Sequence, residues 1–546
     1  MKRLKTLSIL ILAIVMCVTT VLPSFALPIT SDISDNYFYN FFGEAVQAPL
    51  AYKPVNMYTA GDLGLDVKMQ STFVPADLFV RDNLLYVVDR GNSQIVVIDE
   101  NYNIVSIISQ LKDSPEYSVP NLYSYYIDST TGEPVLDAEM QKYNRYSFNA
   151  PEGIFVDEDG ILYVADTQNR RIVVCDINGY VQKVYQGVNI SVISNYIFKP
   201  VKIVVDRTKS IQVIAYAVNR GLVEIDTDGS FRSFVGAPPV SFNAADWFWR
   251  LIATDEQKKK LVKYVPTEYS NINIDERGFI YATISTIDAA DLQSALAYGS
   301  ASSVTGAIAP IQKLSPSGSD VLRRLGEYAP VGDIHFKRMA SPQIVDVAVD
   351  NESGRYTILD QRNGRFFTYD ADGNLLYMGG GYGTQVGRFR TANSIAIRGE
   401  HILISDVGNR SITVYETTEY AKKINAAVTA NSAGLFDEAA DLWKEVARFN
   451  SNMYIAYTGL GKAEMRTAMS LYDSTRFEHY ENALGYYELA NEKTNYSKAY
   501  AELRKEELTQ NFNLIAATLG IIVVGIIVLY FVLKARKNKK KGGAKK

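Results

Sequence analysis

The stretch VADTQNRR, residues 164–171, lies between two short apolar runs, ILYV before it and IVV after it. Its pattern, an Asp followed three residues later by an Asn, occurs at Asp89/Asn92, Asp166/Asn169, Asp360/Asn363 and Asp406/Asn409. A degenerate copy, IAYAVNR (214–220), has Tyr216 in place of the Asp. In each copy we expect a β-hairpin in which the Asp accepts backbone N–H bonds and the Asn adopts a left-handed conformation.

Further apolar segments flank each hairpin. The preceding segments are PADLFV (75–80), PEGIFVD (151–157), PVKIVVD (200–206), SNINID (270–275), IVDVAVD (344–350) and NSIAIR (393–398). In most units the Asp–Asn turn is followed by a third strand, which completes the hairpin, and then by a fourth. Four strands per unit, repeated six times, predict a mainly β chain with a six-bladed β-propeller. The fourth unit is the most degenerate, because IYATI (280–284) lacks both the Asp and the Asn.

The segment PEGIFVDEDGILYVADTQNRRIVVCDINGYV (151–181) resembles an NHL repeat, and the other five units resemble weaker copies of it. The resemblance covers about residues 50–416, within a propeller that we place at 51–416. It implies the fold. It does not imply a reaction, because such propellers serve as binding modules and also as hydrolase or lyase scaffolds.

The sixth unit supplies only three strands before helical sequence begins near Glu419. An unpaired strand edge would then be exposed. We therefore expect residues 55–60 to pair with 411–416 and complete the last blade, with Pro54 at the strand start, where a missing N–H does little harm.

Both ends of the chain indicate a membrane protein. A basic start, an apolar run and Ser24-Phe25-Ala26 predict a signal peptide at 1–26, followed by a lead segment at 27–50. Residues 514–533 carry no charge, and at ~1.5 Å per residue they span ~30 Å, one bilayer core. The tail 534–546 has eight positive charges and no negative ones, which predicts a cytoplasmic tail. We expect a single-pass protein of the cell membrane with its N-terminus outside.

Charge and cysteine content agree with export. The chain has 56 basic and 60 acidic residues; without the three basic residues of the signal and the eight of the tail, 45 remain against 60. This negative balance disfavours nucleic-acid partners. Because Cys17 lies in the signal peptide, Cys175 is left alone and no internal disulfide is expected, which fits a bacterial cell-surface protein.

Residues 417–510 have helical periodicity. The segments at 434–447 and 476–490 share three matched pairs: Phe436 with Tyr480, Ala439 with Ala483, and Trp443 with Tyr487. This pattern resembles tetratricopeptide repeats, and Leu460-Gly461 stands where that family's first helix has Leu-Gly, although the matches lie 44 residues apart, about ten more than the family's period. We expect two helical hairpins and a final helix that act as a stalk with a docking surface, or alternatively as a groove for a partner.

Three insertions interrupt the propeller, at 107–149, 236–268 and 286–310. The first contains Tyr123, Tyr125 and Tyr126, and the second contains Trp247, Phe248 and Trp249. Aromatic side chains on loops of a rigid scaffold suit protein hot spots and stacking on sugar rings. The alternative is that these aromatics cover the flank of the propeller.

The first strands also predict a ring of polar side chains at one channel mouth. Its members are Asp77, Glu152, Lys202, Asn271, Asp346 and Asn393. Such a set resembles the oxygen ligands of lactonase-like propellers, in which a divalent cation acts as Lewis acid. A solvated channel lining is the alternative. The three histidines are scattered, which argues against zinc lyase chemistry, and there is no GxSxG.

From these features we expect a non-enzymatic, membrane-anchored binding or scaffold protein without a cofactor. Its partner would be a protein or a glycan outside the membrane, and it would serve as an accessory to a membrane transport assembly. The alternative prediction is a metal-dependent, gluconolactonase-type hydrolase at the channel mouth that uses Ca²⁺ or another divalent cation.

Overall fold

A computed structural model describes residues 36–40, 42–116, 125–127, 134–136, 146–186, 188, 190, 193, 196–236, 268–298, 301–336 and 341–542. At 125–127, 134–136 and 537–542 only the backbone is described. The predicted signal peptide, Tyr123, Trp247, Phe248 and Trp249 lie outside the described residues.

Within the described residues six sheets surround a channel, antiparallel except for a short parallel strand at the edge of blade two, and each innermost strand contacts that of the next blade, so that the ring closes. The predicted six-bladed propeller is therefore confirmed. Its first half contains β1 (Tyr37–Tyr39), β2 (Ala45–Gln47), β3 (Tyr52–Thr59), α1 (Val67–Gln70), β4 (Pro75–Arg81), β5 (Leu84–Asp89), β6 (Gln94–Ile98), β7 (Ile104–Ile108), β8 (Lys112–Asp113), β9 (Tyr125–Ile127), β10 (Pro134–Leu136), β11 (Gly153–Val156), β12 (Leu162–Asp166), β13 (Arg171–Cys175), β14 (Tyr180–Gln186), β15 (Pro200–Val205), β16 (Ile211–Ala215), β17 (Leu222–Ile225) and β18 (Phe231–Val235). Its second half contains β19 (Asn271–Ile274), β20 (Ile280–Thr283), α2 (Ala289–Tyr298), β21 (Ile311–Leu314), β22 (Ile344–Val349), β23 (Tyr356–Asp360), β24 (Arg365–Tyr369), β25 (Leu375–Gly380), β26 (Ala392–Arg398), β27 (His401–Asp406) and β28 (Ser411–Thr417).

The recurring Asp fastens each hairpin to the entry of its own blade. Buried Asp89, Asp166, Asp360 and Asp406 accept the N–H groups of Val74, Asn149, Gln343 and Thr391 respectively. The prediction for the Asn is wrong. The left-handed residue is the one after it, namely Ser93, Arg170, Gly364 or Arg410. In three hairpins the Asn side chain instead donates to the Asp carboxylate, at 2.6–2.8 Å.

The N-terminal strand completes the last blade, as the sequence predicts. Strand β3 pairs antiparallel with β28 from Thr59↔Ser411 to Tyr52↔Thr417. The strand begins before the expected residue 55, and Pro54 lies inside it, opposite Tyr415 at a register shift. Because β3 is the outermost strand of this sheet, the missing N–H of a proline is tolerated there.

The fourth blade departs from the expected four strands. Within the described residues its sheet has three, β19, β20 and β21. The predicted insertion at 286–310 lies inside this blade, where α2 and two short 3-10 helices pack through buried Leu292 and Val304. The chain after β21 turns away, and the backbone N–H of Leu325 donates to the carbonyl of Asp372 in blade five.

A series of helices follows the propeller. They are α3 (Glu419–Ser432), α4 (Phe436–Phe449), α5 (Tyr454–Ser470), α6 (Thr475–Leu489), α7 (Lys493–Gln510) and α8 (Phe512–Gly542). Two of the matched aromatics pack on glycines of α5: a Cβ at Gly459 would lie 2.5 Å from Trp443, and one at Gly461 would lie 2.6 Å from Tyr487. The predicted helical hairpins are present. Their relation to tetratricopeptide repeats stays a prediction.

One helix segment, Phe512–Arg536, is long and apolar enough to cross a membrane, and none of it is buried against the rest of the protein. It agrees with the span predicted at 514–533.

Candidate functional site at the propeller channel

Four innermost strands carry the same irregularity at their start, and this sets which side chains enter the channel. The ladder with the second strand skips one residue between Pro75 and Asp77, and likewise before Lys202, Asp346 and Ser394. Each of these side chains directly precedes the apolar residue at which the strand continues after the irregularity, namely Leu78, Ile203, Val347 or Ile395. By the same alignment the ring position is Gly153 in blade two and Asn271 in blade four.

The structure therefore brings together four of the six predicted residues, Asp77, Lys202, Asn271 and Asp346, which line one small cavity. The structure does not place the other two predicted residues, Glu152 and Asn393, in the lining of this cavity. Glu152 lies outside the ring, 3.8 Å from Arg90 and within hydrogen-bond distance of the Tyr216 hydroxyl. Asn393 donates to the backbone carbonyl of Ala76, and its neighbour Ser394 occupies the ring position.

Gly153 makes room for the lysine of the next blade. A Cβ at this position would lie 2.3 Å from the carbonyl oxygen of Val201 and 3.2 Å from Cδ of Lys202. Lys202 reaches past this glycine to Asp77 in blade one, where the Nζ–Oδ1 distance is 2.5 Å. Both side chains are almost completely buried. The absence of a side chain at Gly153 therefore leaves the space that Lys202 occupies in the ring.

Asp77 links four blades. Its Oδ1 lies beside Lys202 of blade three and 3.0 Å from the hydroxyl of Ser394 in blade six. Its Oδ2 accepts the N–H of Ile154 in blade two, at 3.0 Å. Each oxygen of Asp77 thus has a partner, whereas among the described atoms Nζ of Lys202 has only its ion pair with Asp77.

Ser394 joins this network to Asp346, and the hydrogen atoms can be counted. The hydroxyl oxygen accepts the N–H of Leu78 and lies 3.0 Å from Asp77 Oδ1 and 2.7 Å from Asp346 Oδ2. A hydroxyl carries one hydrogen, so two ionised carboxylates would leave one contact without a proton. A proton on Asp346 satisfies every contact, because Asp346 then donates to Ser394 and Ser394 donates to Asp77.

The electrostatics of the ring favour that proton. Burial, opposed by the charge of Lys202 and reinforced by the charge of Asp77, raises the pKa of Asp346 to about 7. The N–H groups of Val347 and Ile395 donate to its two oxygens, at 2.7 and 2.8 Å, and oppose this rise because they favour the ionised carboxylate. Near neutral pH the ring therefore exchanges one proton at Asp346.

The ring connects the blades and leaves little space between its side chains. Its cavity measures about 20 Å³, close to the volume of one water molecule. Lys202 already supplies the positive charge beside Asp77. Among the residues that the structure describes, no three His, Cys, Asp or Glu side chains are grouped as metal ligands. The ring therefore connects the blades through its own contacts, and the metal-dependent hydrolase stays an alternative prediction.

The predicted aromatic surface is only partly visible. Tyr125 and Tyr126 lie in β9, which pairs with β10 to form a small hairpin within the first insertion. The other aromatic candidates, Tyr123, Trp247, Phe248 and Trp249, are among the residues that the structure does not describe.

No protein-family model and no curated protein matches the chain. Among solved structures it is similar to a streptogramin B lyase, with 10% identity, a TM-score of 0.35, and coverage of 64% of this chain and 94% of that one. It is also similar to a protein of unknown function from Bacteroides thetaiotaomicron, with 13% identity, a TM-score of 0.36, and coverage of 64% and 70%. It is also similar to the β-propeller domain of Cps50 (Swd1) from Myceliophteria thermophila, with 11% identity, a TM-score of 0.35, and coverage of 67% of this chain and 100% of that one. These values carry no argument about function.

Proposed function

We propose that this chain is a membrane-anchored binding protein that presents an NHL-type propeller outside the membrane. The observation that carries this proposal is the shared hydrophobic core of the propeller and the helices. Tyr52 and Phe366 of the propeller belong to one buried cluster with Tyr420, Ile424 and Trp443 of the helices. The helical hairpins therefore hold the propeller in a fixed orientation.

Polar contacts reinforce this joint. The hydroxyl of Tyr377 in blade five donates to Oδ1 of Asn425 in α3, at 2.5 Å. Thr418 begins α3, and its hydroxyl donates to the carbonyl of Leu50, at 2.6 Å, just before the closing strand. A joint of this kind suits a scaffold that displays a binding surface at a set distance from its anchor. The apolar segment Phe512–Arg536 is that anchor, and the basic tail lies in the cytoplasm.

The partner is a protein that is itself part of a membrane assembly such as a transporter, and it contacts the aromatic insertions around Tyr125 and Trp247. Two aspects support a binding role over catalysis at the ring: the ring is occupied by its own hydrogen bonds, and inserted aromatic loops offer the large contact area that interfaces use.

The test is cross-linking on intact cells with a membrane-impermeant reagent, followed by quantitative mass spectrometry. Trp247→Ala with Trp249→Ala should lower recovery of the specific partner at least tenfold and leave the melting temperature unchanged. Tyr472→Ala, a change at a 97% exposed position between α5 and α6, is the control and should lower nothing. Equal recovery with the natural protein, the double variant and the control would refute the aromatic surface. A cross-linked partner that remains after protein has been removed and that consists of carbohydrate would instead identify a glycan.

A further inference from the structure

The third blade carries a row of three polar side chains on neighbouring strands, with a carboxylate at its centre. Gln212, Glu224 and Ser233 are register neighbours on its second, third and fourth strands, so their side chains share one face. The residues equivalent to Glu224 are Val97, Val174 and Val414 in blades one, two and six, Lys313 in blade four and Thr368 in blade five. A carboxylate at this position is therefore a departure from the blade pattern.

This row faces an open slot towards the fourth blade. Gln212 and Glu224 form one wall, and Ile274, Ile280 and Pro316 of blade four form the other. The slot has a volume of about 650 Å³ and extends to the turns that follow the innermost strands, at the channel mouth opposite the start of those strands. One wall is thus polar and the other apolar.

The polar wall has acceptors to spare. Gln212 is only 5% exposed, and its Oε1 has no hydrogen-bond partner among the described protein atoms, while its Nε2 donates to Ser210. Glu224 accepts from the hydroxyls of Ser210 and Ser233, at 3.3 and 2.6 Å. Arg232 stands 3.5 Å from Glu224 and 3.6 Å from Asp226, so one guanidinium is shared by two carboxylates. A buried acceptor without a donor is unfavourable, and it indicates that a donor from a ligand belongs there.

Acidic side chains outnumber basic ones around the slot. Its lining holds seven acidic and five basic side chains: Asp157, Glu158, Asp159, Asp206, Glu224, Asp275 and Glu276 against Arg81, Arg207, Lys209, Arg232 and Arg277. Several of these charges are paired: Lys209 lies within 3 Å of both Asp157 and Asp159, Arg207 lies 3.5 Å from Glu158, and Lys313, beyond the lining, lies 3.0 Å from Asp275. The slot keeps a small negative excess. A cation entering the slot meets an attractive field.

We propose that this slot binds an organic cation, a primary ammonium or guanidinium group on a short apolar stem. Such a group only donates hydrogen bonds, which matches Oε1 of Gln212 and the carboxylate of Glu224. Its stem packs on Ile274, Ile280 and Pro316. The same chemistry is available from a lysine or arginine side chain of a partner protein and from a free diamine.

Binding is measured by calorimetry on the full-length protein in detergent with N-acetyl-lysine methylamide, with cadaverine, and with N-acetyl-norleucine methylamide as the neutral control. We expect at least one of the two amines to bind at least tenfold more tightly than the neutral compound. Preference for the lysine derivative assigns the slot to a protein side chain, and preference for cadaverine assigns it to a free diamine. Equal or undetectable binding of all three overturns the proposal.

Variants locate the site. Glu224→Gln and Gln212→Met should each weaken amine binding about tenfold or more, whereas Glu158→Gln, at a 67% exposed rim carboxylate, should change it less than twofold. Unchanged binding in both slot variants contradicts the assignment, and Gln212→Met serves alone if Glu224→Gln melts early. Cation binding by the slot would deepen the proposed binding role, on which it rests. Because binding is measured on purified protein, the slot can fail to bind while the membrane orientation holds. The orientation can equally be wrong while the slot binds.

Discussion

The hydroxyl oxygen of Ser394 lies 2.7 Å from Oδ2 of Asp346, which joins the sixth blade to the fifth inside the channel. Through Asp77 the same hydroxyl is connected to the first blade and to Lys202 of the third. The propeller is therefore closed twice, by a strand at its rim and by a protonated network at its centre.

The first prediction concerns pH. Because the folded pKa of Asp346 is raised from 3.8 to about 7, its stabilising contribution is complete below about pH 3.8 and is lost as the pH rises through 7. The free energy of unfolding should therefore fall between pH 5 and pH 8 in the natural protein. Asp346→Asn retains a donor to Ser394 and cannot titrate, so it should show a smaller fall. Denaturant midpoints at the two pH values measure the difference.

Other buried carboxyls titrate in the same range, and burial raises the pKa of Asp370 to about 6. They are present in both proteins, so only the difference between the two slopes reports on Asp346. Identical slopes would mean that Asp346 does not hold the proton.

The second prediction concerns the buried ion pair. Asp77→Asn leaves the ammonium of Lys202 buried without its counter-charge, and we expect a loss of about 3–5 kcal/mol in the free energy of unfolding. The double variant Asp77→Asn with Lys202→Met removes both charges and should be more stable than Asp77→Asn alone. A double-mutant cycle with purely additive losses would show that the two groups do not interact.

The third prediction concerns Gly153. Its added Cβ would meet backbone atoms of blade three, which cannot move as a side-chain end does. Gly153→Ala should therefore destabilise the propeller by about 1–3 kcal/mol. The control is Gly485→Ala, in α6 with no atom near the new Cβ, where alanine should stabilise by up to ~1 kcal/mol. Comparable melting temperatures for the two variants would contradict the packing described here.

The fourth prediction concerns the register of the closing strand. Thr59 and Ser411 are paired residues, so cysteines at both positions should form a disulfide under oxidising conditions and raise the melting temperature of the propeller. Cysteines at Thr59 and Thr413, which are two positions out of register, should not. Bridging of the second pair in preference to the first would place β3 in a different register.

Much of the fold follows from the sequence because a propeller repeats its signals. The Asp of each hairpin, the apolar strands and the lack of a last strand were enough to predict six blades and the closing partner. The ring could be predicted only in part. Glu152 and Asn393 are polar, as a ring residue was expected to be, but each lies one residue before the ring position. That position is Gly153 in blade two and Ser394 in blade six, and each directly precedes an isoleucine.

Other features depend on tertiary structure. Within the described residues the fourth blade lacks its outer strand, because the chain after Leu314 turns towards blade five. Nothing in the local sequence SPSGSDVLRRLG (315–326) predicts this turn. The joint between propeller and helices arises from aromatic residues far apart in the chain, such as Tyr52 and Trp443. The polar row of Gln212 and Glu224 was hidden because alternation alone does not tell which face of a blade meets its neighbour.

The central claim is that a rigid propeller is presented outside the membrane by a single C-terminal anchor. Cysteine labelling on intact cells tests it, because Cys175 is buried and burial raises its pKa to about 12, so it contributes little background. With a membrane-impermeant maleimide, Tyr472→Cys should be labelled in intact cells, whereas Lys545→Cys should be labelled only after lysis. Labelling of Lys545→Cys in intact cells, with Tyr472→Cys protected until lysis, would contradict this orientation.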